Sequence, residues 1–137
     1  MRTGKVFLVD TSVWINVLRP DGQTDVLRDM EQLLSEQRIA TAEIVILELM
    51  RGVPTHKEFL EMERDMRALP VLICDDESWR IARRLAFDLK TRGVVIPTVD
   101  LIIASLAIRY NTTLLHADKH FHLIAQRTVL SEWYREF

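Results

Sequence analysis

The sequence predicts a three-layer α/β/α sandwich around a central, mostly parallel sheet of four to five strands. Short apolar runs alternate with amphipathic helical segments along the chain, and no tight two-residue hairpin signal joins neighbouring runs. Strands that cannot return through hairpins must be linked by crossover helices, and those helices then cover both faces of the sheet. A length of 137 residues, 48% of them hydrophobic and 28% charged, suits one ordinary domain with a real core, so 1–137 is read as a single unit.

The elements follow in order. Val6-Phe7-Leu8-Val9 is an apolar run cut off by Asp10-Thr11-Ser12, the pattern of a buried strand opening into a turn. Residues 12–18 form a short helix with Trp14 and Ile15, stopped by Pro20-Asp21-Gly22. Over 25–37, Val26, Leu27, Met30, Leu33 and Leu34 recur at helical spacing. Residues 38–41 are a strand, and 42–51 a helix closed by Gly52 and Pro54, although Ile44-Val45-Ile46 would also suit a strand. Thr55 and Glu58 form a capping box opening a helix to about Ala68, with Phe59, Met62 and Met66 inward. After a buried strand over 70–74, Asp75 or Asp76 caps a long helix with an inner stripe of Trp79, Ala82, Leu85, Ala86 and Leu89, ended by Arg92-Gly93. Residues 94–97 are extended, 100–110 helical, 113–115 a strand and 119–126 a short helix, with a last strand near Val129.

Composition bounds the function. The net charge of −2 does not advertise nucleic acid or an anionic membrane, but if four acidic residues gather in one cleft, the remaining surface is mildly basic. The single cysteine, Cys74, excludes an internal disulfide and a cysteine-built zinc site and suits a reducing cytoplasm. Despite Arg2 and Lys5, Asp10 interrupts the first apolar stretch too soon for a signal peptide, and no run approaches membrane-spanning length, so no membrane partner is expected.

Four carboxylates stand in unusual places. Asp10 ends the first strand, where ligands bind in open parallel sheets, although an acid before a helix is often only a cap. Asp118 repeats that placement after Leu114-Leu115, separated by His116-Ala117. Glu48 shares an apolar helix face with Ile44, so it must bind a cation, pair with Arg51 or reach the rim. Asp100 opens the almost wholly apolar Leu101-Ile102-Ile103-Ala104, where capping would explain it equally well. Four independent caps would have no reason to meet at one rim.

Val9-Asp10-Thr11-Ser12-Val13-Trp14-Ile15, then Leu47-Glu48-Leu49-Met50-Arg51-Gly52, then Asp100-Leu101-Ile102-Ile103-Ala104-Ser105-Leu106-Ala107, then Asp118-Lys119-His120-Phe121 resemble the successive motifs of PIN-domain nucleases, most closely the small VapC-type ribonuclease toxins. The resemblance spans almost the whole chain. It implies a PIN-like fold and a metal-dependent endoribonuclease in which Asp10, Glu48, Asp100 and Asp118 hold the metal and Thr11 and Ser12 support them. It further implies a cognate antitoxin and a homodimer. His116 stands where the family often has Thr or Ser.

The residues agree with that chemistry. Clustered ionised acids repel unless cations sit among them or some acids stay protonated. Oxygen ligands favour Mg²⁺, with Mn²⁺ as a substitute, over zinc. Such an ion lowers the pKa of a bound water and holds a phosphodiester for in-line attack, so no side-chain nucleophile is needed. Asp10 and Asp100 are expected as direct ligands, Glu48 and Asp118 direct or through water. Arg51 and Lys119 are the nearest cations for an RNA backbone, with Arg19, Lys90, Arg92 and Arg109 further off, and Trp14 is a candidate for base stacking. The helices over 25–37 and 55–68 offer apolar stripes to an antitoxin segment.

Three alternatives remain. His116, Asp118, His120 and His122 would form one zinc-binding face on a continuous strand, an arrangement broken if the chain leaves the strand at Ala117. Phosphatases of the haloacid dehalogenase type also begin with a strand and Asp, but their motif places a second Asp where this chain has Ser12. An inert PIN-like binding module would keep the fold without cleavage.

Overall fold

A computed structural model of the chain describes residues 5–137; residues 1–4, Arg2 among them, lie outside the description. Five strands form one sheet: β1 (Phe7–Val9), β2 (Ile39–Ala42), β3 (Val71–Leu72), β4 (Thr113–His116) and β5 (Glu132–Tyr134). Their order is β3-β2-β1-β4-β5, and every pairing is parallel. Among the described residues seven helices flank the sheet: α1 (Thr11–Leu18), α2 (Thr24–Ser35), α3 (Glu43–Met50), α4 (His56–Arg67), α5 (Asp76–Thr91), α6 (Thr98–Arg109) and α7 (Lys119–Arg127). The last strand is displaced from its expected place. Val129 is 83% exposed, and pairing begins three residues later at Glu132.

The middle of the sheet is dry. Leu8, Val9, Leu114 and Leu115 are fully buried, as strands covered on both faces require, and Ile103, Phe121 and Ile124 pack among them from α6 and α7. The isoleucine-rich stretch that would also suit a strand is α3, because β2 ends at Ala42 and the chain turns straight into a helix there. Three residues expected to face inward do not, Ala86 of α5 being one of them. Phe59 is exposed and stacks on His56, while exposed Trp79 lines a surface groove instead of the core.

Three helices end by one device. After α2, α5 and α6 the chain passes through a left-handed residue (Gln37, Gly93 and Asn111, φ 55°, 80° and 53°), and that residue and the next donate back to the last turn. Gly93 and Asn111 suit this conformation, whereas Gln37 carries a Cβ that resists it. Gln37→Gly is therefore expected to stabilise the fold by about 0.5–1 kcal/mol in urea titrations. A destabilised variant would show that the Gln37 side chain has packing worth more than the strain.

The order places the functional edge. β1 is followed by α1 and then by β2 on one side, while β4 joins β1 on the other, so the chain diverges at the carboxyl ends of β1 and β4. α1, α3 and α7 start at or just after the ends of β1, β2 and β4. α6 runs in the same direction: its last residue lies shortly before the start of β4, which puts its first turn, with Asp100, at the same edge.

Candidate metal centre

Asp10 is only 5% exposed and caps α1: its Oδ2 accepts from the Ser12 backbone N–H (3.0 Å) and the Ser12 hydroxyl (2.6 Å). The Ser12 Oγ in turn accepts from the Ala117 N–H at 3.0 Å, and the Asp10 N–H donates to Leu115 O at 2.9 Å, so the ends of β1 and β4 are stitched together. Glu48, on the third helix, accepts the Thr11 hydroxyl on Oε1 at 2.8 Å; it does not pair with Arg51. Asp118 caps α7, its Oδ1 accepting from the His120 N–H at 2.8 Å.

Asp100 is not a cap. The cap of α6 is Pro97, and Asp100 sits in the first turn, where the helix dipole favours a carboxylate. Its Oδ2 lies 2.9 Å from Nδ1 of His120, which is also 3.5 Å from Oδ1 of Asp118. Donor atoms of Asp100, Asp118 and His120 all fall within 4.8 Å of one another; Asp10 and Glu48 stand further from that trio.

The electrostatics tie all four acids together. Burial raises the pKa of Asp10 from 3.8 to about 6, against the two Ser12 hydrogen bonds, with repulsion from Glu48 and Asp100 adding to the rise. Asp100 is also raised, chiefly by burial, and feels Asp118 and Glu48. Each carboxylate therefore lies in the field of at least one other. Capping and clustering, which looked like rival explanations for Asp10 and Asp118, coexist. One oxygen serves the helix and the other has no hydrogen-bond donor among the described residues. The same division holds at Glu48, where Oε2 is left over, and at Asp100, where Oδ1 is.

The histidines separate. β4 ends at His116, and His120 and His122 lie on α7, so no common strand face exists. His116 is fully buried; its Nδ1 accepts the Asp118 N–H at 3.1 Å, which leaves Nε2 to donate to Oε1 of Glu132 at 2.8 Å. Burial lowers its pKa, in keeping with the neutral ring that this pattern needs. His122 takes the other oxygen of Glu132 at 2.9 Å, and both rings stack on Tyr134. His116 thus steadies the Asp118 backbone in place of a hydroxyl. In the sequence His120 stood out only within a histidine pattern and the motif Asp118-Lys119-His120-Phe121; its junction with Asp100 depends on the packing of α6 against α7.

The surrounding cations sort clearly. Arg51 and Lys119 are exposed and make no ion pair among the described residues, and the same is true of Arg19 and Lys90. Arg109 is engaged by Asp75 through two nitrogens, at 2.8 and 3.1 Å, and Arg92 donates to the Arg127 carbonyl. Trp14 is 6% exposed, so it packs in the core and cannot stack on a base. An apolar groove of about 850 Å³ lies away from α2, and Ile44, Leu47, Ile73, Trp79 and Ile102 line it together with Glu63 and Arg67 of α4.

Ser12 is the structural clasp of this site. Ser12→Ala leaves the Ala117 N–H and one bond to Asp10 unmade, and is expected to lower stability by about 1–3 kcal/mol in chemical denaturation. A variant as stable as the parent would show that water replaces the hydroxyl.

A parallel five-stranded sheet with four acids at its divergence point defines a class. The PIN domain profile matches residues 7–126, and the chain belongs to the PIN-domain family. It is similar to VapC ribonuclease Mb1587 of Mycobacterium bovis and to ribonuclease VapC11 of Mycobacterium tuberculosis, each 32% identical over 129 residues, 91% of this chain and 96% of the relative. Among solved structures, a DNA-bound VapBC from Salmonella typhimurium superposes with a TM-score of 0.80 at 18% identity, covering 96% of this chain and 98% of that one. VapBC2 from Rickettsia felis, bound to a promoter DNA fragment, gives 0.76 at 23%, covering 96% and 99%. These likenesses carry the fold. No helix among the described residues is long and apolar enough to cross a membrane.

Proposed function

We infer that the chain is a metal-dependent endoribonuclease and the toxin of a toxin–antitoxin pair. The observation that carries the chemistry is the division at Asp10, Glu48, Asp100 and Asp118: one oxygen of each is anchored and the other has no donor among the described residues. Mg²⁺, with Mn²⁺ as a substitute, suits this oxygen-rich set. A bound divalent cation supplies charge neutralisation and a more acidic water for attack on the phosphodiester. The protein's own part is positional. Ser12, Thr11, the start of α7 and the α6 dipole fix the four carboxylates before any ligand arrives. The similarity to proteins named VapC ribonucleases supports RNA as the substrate, and the VapBC neighbours support an antitoxin partner. We also infer a homodimer, for which exposed Leu47, Ile73 and Phe87 provide apolar surface, and a cytoplasmic setting that suits the unpaired Cys74.

The test combines cleavage with stability. The purified chain should cut RNA with Mg²⁺ or Mn²⁺ and stop when EDTA is added, and Mn²⁺ at 100 times its Kd should stabilise the fold by about 3 kcal/mol. A chain that neither cuts RNA nor gains stability is an inert module.

Arg51 and Lys119, exposed and without an ion pair among the described residues, are our candidates for contact with the RNA backbone. Removing both charges should lower the slope of log K against log salt by about 1.4, since each contact with a single strand contributes about 0.7. An unaltered slope would move the RNA path elsewhere.

A further inference from the structure

In the most compact group of metal-ligating side chains among the described residues, one member is not a carboxylate. We propose that His120 is a nitrogen ligand of a cation held by Asp100 and Asp118, and that it makes this position prefer Mn²⁺ over Mg²⁺; the proposal rests on the metal-dependent reading above. The distances suit it. Nδ1 is 2.9 Å from Oδ2 of Asp100 and 3.5 Å from Oδ1 of Asp118. Ligands about 2.1 Å from an octahedral ion lie about 3 Å from one another. Nδ1 therefore stands about one coordination edge from Oδ2 of Asp100, and an ion entering here would exchange that hydrogen bond for coordination by both groups, with a carboxylate oxygen of Asp118 beside them.

The placement is enforced by the backbone. His120 is the second residue of α7, and its own N–H donates to the capping carboxylate of Asp118, so the start of the helix brings the ring against that carboxylate whatever the ring does. α6 packs on α7 and delivers Asp100 to the other side. The His120 side chain is 44% exposed, which leaves a hydrated ion a route to the ring. The other histidines are placed differently. His116 and His122 each direct a nitrogen to Glu132 and stack on Tyr134, and His56 stacks on Phe59 of α4.

The consequence for ion choice is chemical. Mg²⁺ sheds water reluctantly and takes oxygen donors, whereas first-row transition ions accept imidazole readily. Four carboxylates alone would select weakly between Mg²⁺ and Mn²⁺; adding one nitrogen biases the set toward Mn²⁺.

The experiment uses the full chain with Mn²⁺ and Mg²⁺ as separate probes. Affinities are measured by calorimetry, and bound Mn²⁺ is examined by pulsed electron paramagnetic resonance for coupling to ¹⁴N. The wild type should show that coupling and bind Mn²⁺ about tenfold or more tighter than Mg²⁺. His120→Gln, its fold checked by melting without metal, should lose the coupling and weaken Mn²⁺ binding about tenfold, changing Mg²⁺ binding far less. His56→Gln should alter neither. Absence of ¹⁴N coupling in the wild type overturns the proposal even if the variant fails to fold, and so does equal weakening of both ions. If the wild type binds neither cation, the metal-dependent reading falls with it; if it binds both equally and without nitrogen, only the role of His120 falls.

Discussion

Asp10→Asn is expected to lose RNA cleavage by at least about 100-fold while making the folded chain more stable. Both effects come from one buried charge. The carboxylate is held in a nearly dry site between β1 and α1, and its pKa stands at about 6 instead of 3.8. A rise of that size corresponds to about 3 kcal/mol by which the ionised form is disfavoured in the folded state. The sign follows from linkage. Below about pH 4 the acid is protonated in folded and unfolded chains alike, and no penalty exists; between about pH 4 and 6 the unfolded chain ionises first and the penalty grows; above about pH 6 it is complete. Wild-type stability should therefore fall as pH rises from about 4 to 7, and the Asn variant, about 2–3 kcal/mol more stable at pH 7.5, should converge with it near pH 4. Urea titrations at several pH values, with cleavage assays in Mg²⁺ and Mn²⁺, check both halves. An Asn variant that cuts RNA at the parental rate would remove Asp10 from the metal centre. One that is no more stable would show that relaxation or bound water already relieves the charge.

Phe121→Ala is expected to lower stability by about 3–5 kcal/mol, among the largest effects available to one substitution in this chain. The ring is fully buried and meets His116 edge-on, with centroids 5.2 Å apart. Truncation would open a cavity in the core and remove one wall of the pocket that holds His116, whose Nδ1 accepts the Asp118 N–H. Phe121→Leu, which keeps most of the volume, should cost less than half as much. Denaturant midpoints compare the two. A loss under about 1 kcal/mol for Ala would mean that the core closes over the gap.

Much of this was legible in the sequence. The alternation of apolar runs and amphipathic helices specified a parallel sheet because burial on both faces requires near-continuous apolar strands. The capping box at Thr55 and the stop at Gly93 were readable because each depends on neighbours a few residues away. Pattern failed where a residue's partner was distant. β5 was misplaced because Glu132 interrupts its apolar run, and that carboxylate is in place only because His116 and His122 receive it. Phe59 and Trp79 read as core because helical spacing reports a face but not whether another element covers it. At the site, the four acids could be singled out by position, yet their division into tied and free oxygens depends on Thr11, Ser12 and His120. The role of His120 depends on a helix contact that local sequence does not encode.

The pairing of β1 with β4 has a consequence for the moment of synthesis. The acid nearest the amino end leaves the ribosome more than a hundred residues before Asp118, and the strand that must lie beside β1 emerges just ahead of that second acid. A growing polypeptide therefore carries no assembled cleft for most of its translation. A hazardous catalyst is in this way kept harmless to the machinery making it until its last elements have docked.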